Sequence, residues 1–119
     1  MPADPNTDVI TWVLQASLPE GQRPALEAVM HEMIDATRTN EPGCLLYDWY
    51  ISADGGTCHI LESYADDAAL MTHIASFNAR FARRLFGIIK PVGLTIYGNP
   101  SAEARAALAP LRPVYLSRL

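Results

Sequence analysis

The sequence has few cysteines and no long apolar run, and these absences exclude several classes of protein. Its 119 residues include two cysteines, Cys44 and Cys58, and three histidines. Because no closely spaced set of cysteines and histidines occurs, neither a metal site nor a disulfide framework is predicted. No apolar stretch approaches the roughly 18 residues that a membrane span needs, and residues 1–6 lack the basic and apolar parts of a signal peptide. A cytoplasmic protein without membrane contact is therefore expected.

The composition is that of one folded domain. Half of the residues are hydrophobic and 18% are charged, which supplies enough apolar surface for a core and argues against disorder. A single domain over residues 1–119 is therefore expected.

Positive charge is scarce in the first two-thirds of the chain. Residues 1–79 contain 12 acidic and two basic side chains, whereas residues 80–119 contain seven basic and one acidic. Such an asymmetry indicates either that the acidic and basic parts of the chain attract each other within the fold, or that the chain binds a partner or an anionic ligand. The chain as a whole carries a charge of -4, and its basic residues are not interleaved with aromatics in a recognisable motif, so nucleic-acid binding is not expected.

Apolar periodicity and turn residues divide the chain into strands and helices. Strands are predicted at Asp8–Ser17, Cys44–Ser52, Thr57–Tyr64 and Val92–Gly98. A first helix is predicted from about Leu26 to Thr37, and a short last one at Ser101–Ala109. A second helix is predicted from Asp66 or Asp67 through Phe81, with a brief interruption at 75–78. The turn Asp54-Gly55 predicts a hairpin in which Tyr47 pairs with Glu62 and Leu45 with Tyr64. The last ten residues are expected to be irregular.

The order β-α-β-β-α-β is that of a ferredoxin-like α+β fold, an antiparallel sheet with both helices on one face. The first strand is apolar on both faces, with Trp12 and Leu14 on one and Val9 and Val13 on the other. Something must therefore cover the second face, and a second copy of the sheet would do so. A homodimer joined through its sheets is expected.

Several segments, in the right order, resemble the antibiotic biosynthesis monooxygenase domain family. They are Glu41-Pro42-Gly43-Cys44-Leu45-Leu46-Tyr47, Glu62-Ser63-Tyr64, Asp67-Ala68-Ala69-Leu70 with His73, Ser76-Phe77, and Pro91-Val92-Gly93-Leu94-Thr95-Ile96-Tyr97. The resemblance covers about residues 8–98 and leaves a C-terminal extension at 99–119. It implies a dimeric α/β barrel, in which the last strand and its extension reach the partner, so the basic C-terminal third is expected to lie on an acidic neighbour.

The resemblance also implies a monooxygenase that uses dioxygen on a quinol, polyketide-like or other phenolic aromatic substrate, with no bound cofactor or metal. Such chemistry needs an apolar aromatic pocket, a base and a cation near the developing oxyanion. His73 matches the family's histidine and is the expected catalytic base, since an ordinary pKa near 6.5 suits proton transfer at neutral pH. A core histidine bonded to a backbone carbonyl is the alternative.

Other residues are expected around His73. Glu62 matches the family's glutamate and is predicted to be a supporting hydrogen-bond partner, while Arg80 or Arg83 could turn inward to hold an anion. Aromatic side chains are expected to contact the substrate, with Trp12 able to lie on either sheet face; they are Trp12, Tyr47, Trp49, Tyr64, Phe77 and Phe81.

Two further functions remain open. Related haem-degrading proteins carry a tryptophan at the position of His73 and an iron-binding histidine about ten residues later, where this chain has Arg83 or a neighbour, so haem binding would have to use His73 itself. A non-catalytic module that binds a small ligand is the other alternative.

Overall fold

The computed structural model describes residues 8–119. Its strands are β1 (Ile10–Ser17), β2 (Cys44–Ile51), β3 (Thr57–Tyr64), β4 (Lys90–Tyr97) and β5 (Val114–Leu116), and its helices are α1 (Arg23–Asn40), α2 (Asp67–Arg80), α3 (Ala82–Phe86) and α4 (Ala102–Leu108), with a 3₁₀ turn at Ala109–Leu111. Among these residues no helix combines the length and the apolar character required to cross a membrane.

The strands form one sheet in the order β2-β3-β1-β4-β5. The first four are antiparallel to their neighbours, which confirms the predicted ferredoxin-like arrangement. The prediction of an irregular C-terminus was wrong, because Val114–Leu116 pairs in parallel with Thr95–Tyr97. This short strand satisfies backbone groups of β4 that would otherwise form an open sheet edge.

The hairpin register is confirmed over most of its length, with Tyr47 opposite Glu62. The predicted pairing of Leu45 with Tyr64 was wrong, because a bulge shifts the register and places Cys44 opposite Tyr64. The Cys44 backbone N–H donates to the Glu41 carbonyl oxygen at 3.1 Å, which ties the start of β2 to the end of α1. Leu45 is the extra residue of the bulge and is 58% exposed.

The core lies between the sheet and the helices. Along β1 the side chains of Ile10, Trp12 and Leu14 are buried, whereas Thr11 and Val13 on the opposite face are half-buried. Helices α1 and α2 contribute apolar side chains to the same layer, among them Met33 and Ile74. Of the two sheet faces that the sequence left open for Trp12, its indole lies on the one that faces the helices.

Helix α2 carries the histidine of interest. The Asp66 carboxylate accepts the Ala69 backbone N–H at 2.8 Å, so the helix begins with a side-chain cap at one of the two predicted start positions. The expected interruption at 75–78 was wrong: α2 is continuous to Arg80, and the break falls at Phe81, whose φ of -129° is not helical. Phe81 is anchored in the core, which redirects the chain into α3.

The segment after β4 folds back over α2. The Asp67 carboxylate accepts the Ser101 backbone N–H at 2.8 Å, and the Ser101 hydroxyl caps α4 by accepting the Ala104 N–H at 3.1 Å. The Arg105 guanidinium lies 4.1 Å from the centre of the Tyr115 ring, a cation–π contact between α4 and β5. The segment thus reaches the mouth of an internal cavity.

Candidate functional site

A cavity of about 380 Å³ lies between the sheet and the helices, at the lower end of the range for small-molecule sites. Its walls are mostly apolar and come from β1, β3, β4, α1, α2 and the C-terminal segment. The polar side chains that line it are Tyr47, Glu62, His73 and Asn78. A pocket with a few polar groups in an apolar wall suits a planar organic ligand.

His73 is held between two carboxylates at the buried end of the cavity. Its Nδ1 lies 2.7 Å from Oε1 of Glu41, and its Nε2 lies 3.1 Å from Oε1 of Glu62. All three side chains are buried, with at most 7% of each side chain exposed. Helix α2 supplies the histidine, strand β3 supplies Glu62, and the end of α1 supplies Glu41. We call these three residues the carboxylate–histidine triad.

Tyr64, two residues after Glu62 on β3, supports the triad. Its hydroxyl donates to Oε1 of Glu62 at 2.6 Å, and its ring centre lies 5.1 Å from that of His73. Burial, together with the charge of Glu62, raises the pKa of Tyr64, so the hydroxyl remains a neutral donor. Oε1 of Glu62 is therefore contacted by two donors, the Tyr64 hydroxyl and Nε2 of His73.

The carboxylates control the charge of His73. Burial alone would lower its pKa, but the hydrogen bonds and negative charges of Glu41 and Glu62 outweigh that effect and raise the pKa to about 9. At neutral pH both ring nitrogens then carry protons and donate to the flanking carboxylates. The expectation that His73 titrates with an ordinary pKa does not hold, because a cation between two anions resists deprotonation.

The structure brings only some of the predicted aromatic residues to the cavity. Trp12, Tyr47 and Phe77 line it. Tyr64 lies behind Glu62 and is fully buried, and Phe81 is a core residue, so neither contacts the cavity. Trp49 lies on the same sheet face as Tyr47, two residues further along β2. Its indole packs edge-on to the Tyr47 ring, with ring centres 6.0 Å apart, and does not reach the cavity.

The two predicted arginines do not turn inward. The Arg80 guanidinium lies 5.1 Å from the Phe81 ring centre on the outer side of the fold, and Arg83 is exposed. Neither lines the cavity. Arg80 is the last residue of α2 and Arg83 is in α3. In this segment the side chains that point inward are those of Phe81, Leu85 and Phe86.

Glu41 was missed as a site residue because its Glu-Pro-Gly context indicates only a helix end. Its position just before Pro42, in a segment already matched to the family, was the available signal. The C-terminal wall was also missed, since nothing in a short alanine-rich helix marks it as part of a cavity; its lining residues are Ala107, Leu108, Pro110 and Leu111.

The structure does not favour the haem alternative. Iron would need a free imidazole nitrogen, but both nitrogens of His73 already bind carboxylates. Within residues 8–119 no group of three or more histidine, cysteine, aspartate or glutamate side chains is arranged to hold a metal ion.

Comparison with known proteins agrees with this architecture. The model of the family described as antibiotic biosynthesis monooxygenase matches residues 9–84. Rv0793 of Mycobacterium tuberculosis, named as a candidate monooxygenase, is 40% identical over 86 residues, which are 71% of this chain and 83% of that protein. The structure of Rv0793 superposes with a TM-score of 0.66 and 29% identity, covering 78% of this chain and 96% of the other.

Another solved structure extends the similarity to the C-terminal segment. MupZ from Pseudomonas fluorescens has a TM-score of 0.80 at 24% identity, covering 94% of this chain and 91% of its own. Because so little of this chain is left out, the match includes most of the segment after β4, although at this identity it shows the fold alone. The family model and the relative of 40% identity together establish that this chain belongs to the antibiotic biosynthesis monooxygenase family.

Proposed function

We propose that this protein is a monooxygenase that oxidises a phenolic aromatic substrate, such as a quinol or an aromatic polyketide, with dioxygen and no bound cofactor. The observation that carries the proposal is a carboxylate at the buried end of an apolar cavity. Glu62 lines that cavity and is fixed on one oxygen by His73 and Tyr64. A phenol placed in the cavity would meet Oε2 of Glu62 as a proton acceptor.

Glu62, rather than His73, acts as the base in this scheme. Both protons of His73 are engaged with carboxylates, so the ring has no lone pair to offer a substrate. Its positive charge offsets the cost of burying the Glu62 carboxylate in an apolar setting. Glu41 in turn keeps His73 charged and oriented, so His73 and Glu41 are positioning residues.

The reaction balances without an external reductant. Glu62 takes the O–H proton, and the phenolate transfers one electron to dioxygen. The resulting superoxide joins the phenoxyl radical at a ring carbon that bears hydrogen, which forms a peroxide anion. That carbon then loses its proton as the O–O bond breaks, one oxygen remains as a quinone carbonyl, and the other leaves as water with the two hydrogens of the substrate. Glu62 returns its proton to the departing oxygen.

The apolar walls contribute by excluding water. Trp12, Phe77 and Phe86 border the cavity, and a dry pocket prevents superoxide from being protonated before it meets the radical. Their ring faces also fit a planar substrate.

Oxygen uptake with hydroquinones, naphthols and anthrols tests the proposal. Glu62→Gln keeps the size of the side chain but loses its basicity, so we expect kcat to fall by about 100-fold or more. Glu27→Gln, an exposed change on α1, is the matched control and should match the wild type. No oxygen uptake by the wild type with any phenol that binds, or undiminished kcat in the Glu62→Gln variant, would refute the proposal.

We also propose that the active form is a homodimer joined through the sheet face opposite the helices. That face carries Val13, Leu46 and Leu61, which are half-buried, and Tyr50, which is 57% exposed. Apolar residues on a two-layer fold's open face favour a second copy. Light scattering of the wild type should give a mass twice that of the 13.0 kDa chain. The Leu61→Glu variant should have the mass of one chain, whereas the control Ala28→Glu, an exposed change on α1, should remain a dimer. A monomeric wild type would contradict this.

A further inference from the structure

The cavity has a polar buried end and a mostly apolar mouth. Glu62 and His73 are buried at one end, whereas the lining residues exposed to solvent are Asn78, Ala107 and Pro110. The mouth therefore lies between the end of α2 and the C-terminal segment. A phenol whose hydroxyl reaches Glu62 would place its remote ring at this mouth.

One side of the mouth is built by residues 102–111, which we call the C-terminal wall. Its lining side chains, Ala107, Leu108, Pro110 and Leu111, are all apolar. Two contacts hold the wall in place: Asp67 accepts the Ser101 backbone N–H at 2.8 Å just before it, and Arg105 of α4 packs on Tyr115 of β5. A wall held in this way restricts the size of a ligand instead of adapting to it.

The wall lies outside the part of the chain that defines the family. The family model ends at residue 84, and the Rv0793 alignment covers 86 residues of this chain. Glu41, His73 and Glu62 lie within the span of the family model and the wall does not, so the triad and the wall come from different parts of the sequence.

The charges on the lining restrict the substrate further. Among the described residues no lysine or arginine lines the cavity. With His73 protonated, the triad carries two negative charges and one positive charge, which is unfavourable for an anionic ligand in an apolar pocket.

We propose that the C-terminal wall selects the substrate, admitting a neutral fused-ring phenol of about naphthol to anthrol size and restricting its remote ring at Ala107 and Leu111. This inference rests on the proposed function, because it assumes that the phenolic end lies at Glu62. It makes Ala107 and Leu111 specificity-determining residues, although neither touches the reacting carbon.

Adjacent alanines in α4 provide a matched test. Ala106 and Ala107 are both exposed, but only Ala107 lines the cavity. Binding of 2-naphthol, 2-anthrol and the anionic 6-hydroxy-2-naphthoate is measured by calorimetry, and oxygen uptake is measured separately. We expect the Ala107→Phe variant to bind 2-anthrol at least about tenfold more weakly than the wild type, with a smaller loss for 2-naphthol. Ala106→Phe should bind both phenols like the wild type, and the naphthoate should bind weakly to every variant.

A second variant covers the case in which the Ala107→Phe protein does not fold. Leu111→Ala widens the wall, so we expect it to bind 2-anthrol more tightly relative to 2-naphthol than the wild type does. Unchanged relative binding in both wall variants, or equal effects of Ala106→Phe and Ala107→Phe, overturns selection by the wall. Tight naphthoate binding overturns the requirement for a neutral substrate.

The two measurements separate this inference from the proposed function. If the wild type binds the phenols without consuming oxygen, the monooxygenase proposal fails, while the dissociation constants still decide selection by the wall. If it consumes oxygen but the wall variants keep their relative binding, only the inference fails. If it binds no phenol, both fail.

Discussion

Oε1 of Glu41 lies 2.7 Å from Nδ1 of His73, although 32 residues separate the two in sequence. Glu41 follows the last turn of α1, and His73 is in the middle of α2. The hydrogen bond links the end of one helix to the other, with both side chains buried. A buried carboxylate is costly unless it is paired, so each residue makes the other's burial possible.

Removing the charge of Glu41 should lower the pKa of His73. Glu41→Gln retains an oxygen acceptor for the Nδ1 proton but loses the negative charge, so the pKa should fall from about 9 towards its ordinary value of about 6.5. Nuclear magnetic resonance of the ¹⁵N-labelled histidine ring measures this directly. Glu32→Gln on the outer face of α1 serves as the control, and an unchanged His73 pKa in the Glu41→Gln variant would show that Glu41 does not set it.

Replacing Glu41 with alanine should be more damaging than replacing it with glutamine. Alanine leaves the Nδ1 proton of His73 buried without a partner, which costs about 3 kcal/mol of the free energy of unfolding. Glutamine can still accept the hydrogen bond and should cost less. Urea unfolding of both variants at pH 7 checks the order; equal losses would mean that packing rather than the hydrogen bond determines the effect.

The triad should make stability depend on alkaline pH. The pKa of His73 is higher in the folded protein, about 9, than in the unfolded chain, about 6.5. The folded state therefore binds the proton more tightly, and the resulting stabilisation is complete below about pH 6.5 and is lost as the pH rises through about 9. A difference of this size corresponds to roughly 3 kcal/mol.

Comparison with a variant isolates the histidine from other groups. The Cys44 thiol contributes near the upper limit of this range, because burial and the nearby carboxylates raise its pKa in the folded protein to about 11, above the value of about 8.5 expected in the unfolded chain. This thiol is present in the wild type and in the variant alike. The free energy of unfolding should therefore fall more between pH 6 and pH 9.5 in the wild type than in His73→Gln. Parallel pH profiles would contradict the assignment of a charged His73.

Local sequence signals predicted the fold but not its irregular points. Asp54-Gly55 and the alternation on either side define the hairpin, because a two-residue turn sets the register. The bulge at Leu45 could not be foreseen, since Leu45 and Leu46 are equally apolar and the shift depends on how α1 ends. Strand β5 was missed because three residues carry no detectable period until β4 is present to pair with them.

The site was only partly predictable for a related reason. Trp12, Tyr47, His73 and Phe77 follow from the residues and from the family resemblance, because each lies on the inner face of a predicted element. Glu41 acquires its role only when two helices are packed together. Trp49 and Tyr64 lie on the inner face as well, and sequence alone does not show how far along each strand the cavity extends.

Two tyrosines beside the triad should respond differently to the loss of the hydroxyl. Tyr64→Phe removes the 2.6 Å hydrogen bond to Glu62, which should cost about 2 kcal/mol because the acceptor is charged. The Tyr47 hydroxyl is buried and has no hydrogen-bond partner of good distance and angle among the described residues, although Thr37 lies close enough to interact with it. Tyr47→Phe should therefore leave stability unchanged or slightly raised.

Chemical unfolding of these two single variants provides the check, because each loses one oxygen atom from the same kind of residue. Similar losses in the two variants would show that the Tyr47 hydroxyl has a partner after all.

Two glycines with positive φ should differ in their tolerance of a side chain. Gly98 ends β4 with a φ of +121°, and a Cβ there would lie 2.9 Å from the Val9 carbonyl oxygen. Gly21, in the turn before α1, has a φ of +84° but no atom within 4 Å of such a Cβ. Gly21→Ala should cost only the backbone strain of about 1 kcal/mol, whereas Gly98→Ala adds a clash with β1 and should cost about 3 kcal/mol. Because the chain turns at Gly98 towards the C-terminal wall, Gly98→Ala should also weaken ligand binding, which Gly21→Ala should not. Equal losses of stability in the two variants would mean that the contact with Val9 relaxes without cost.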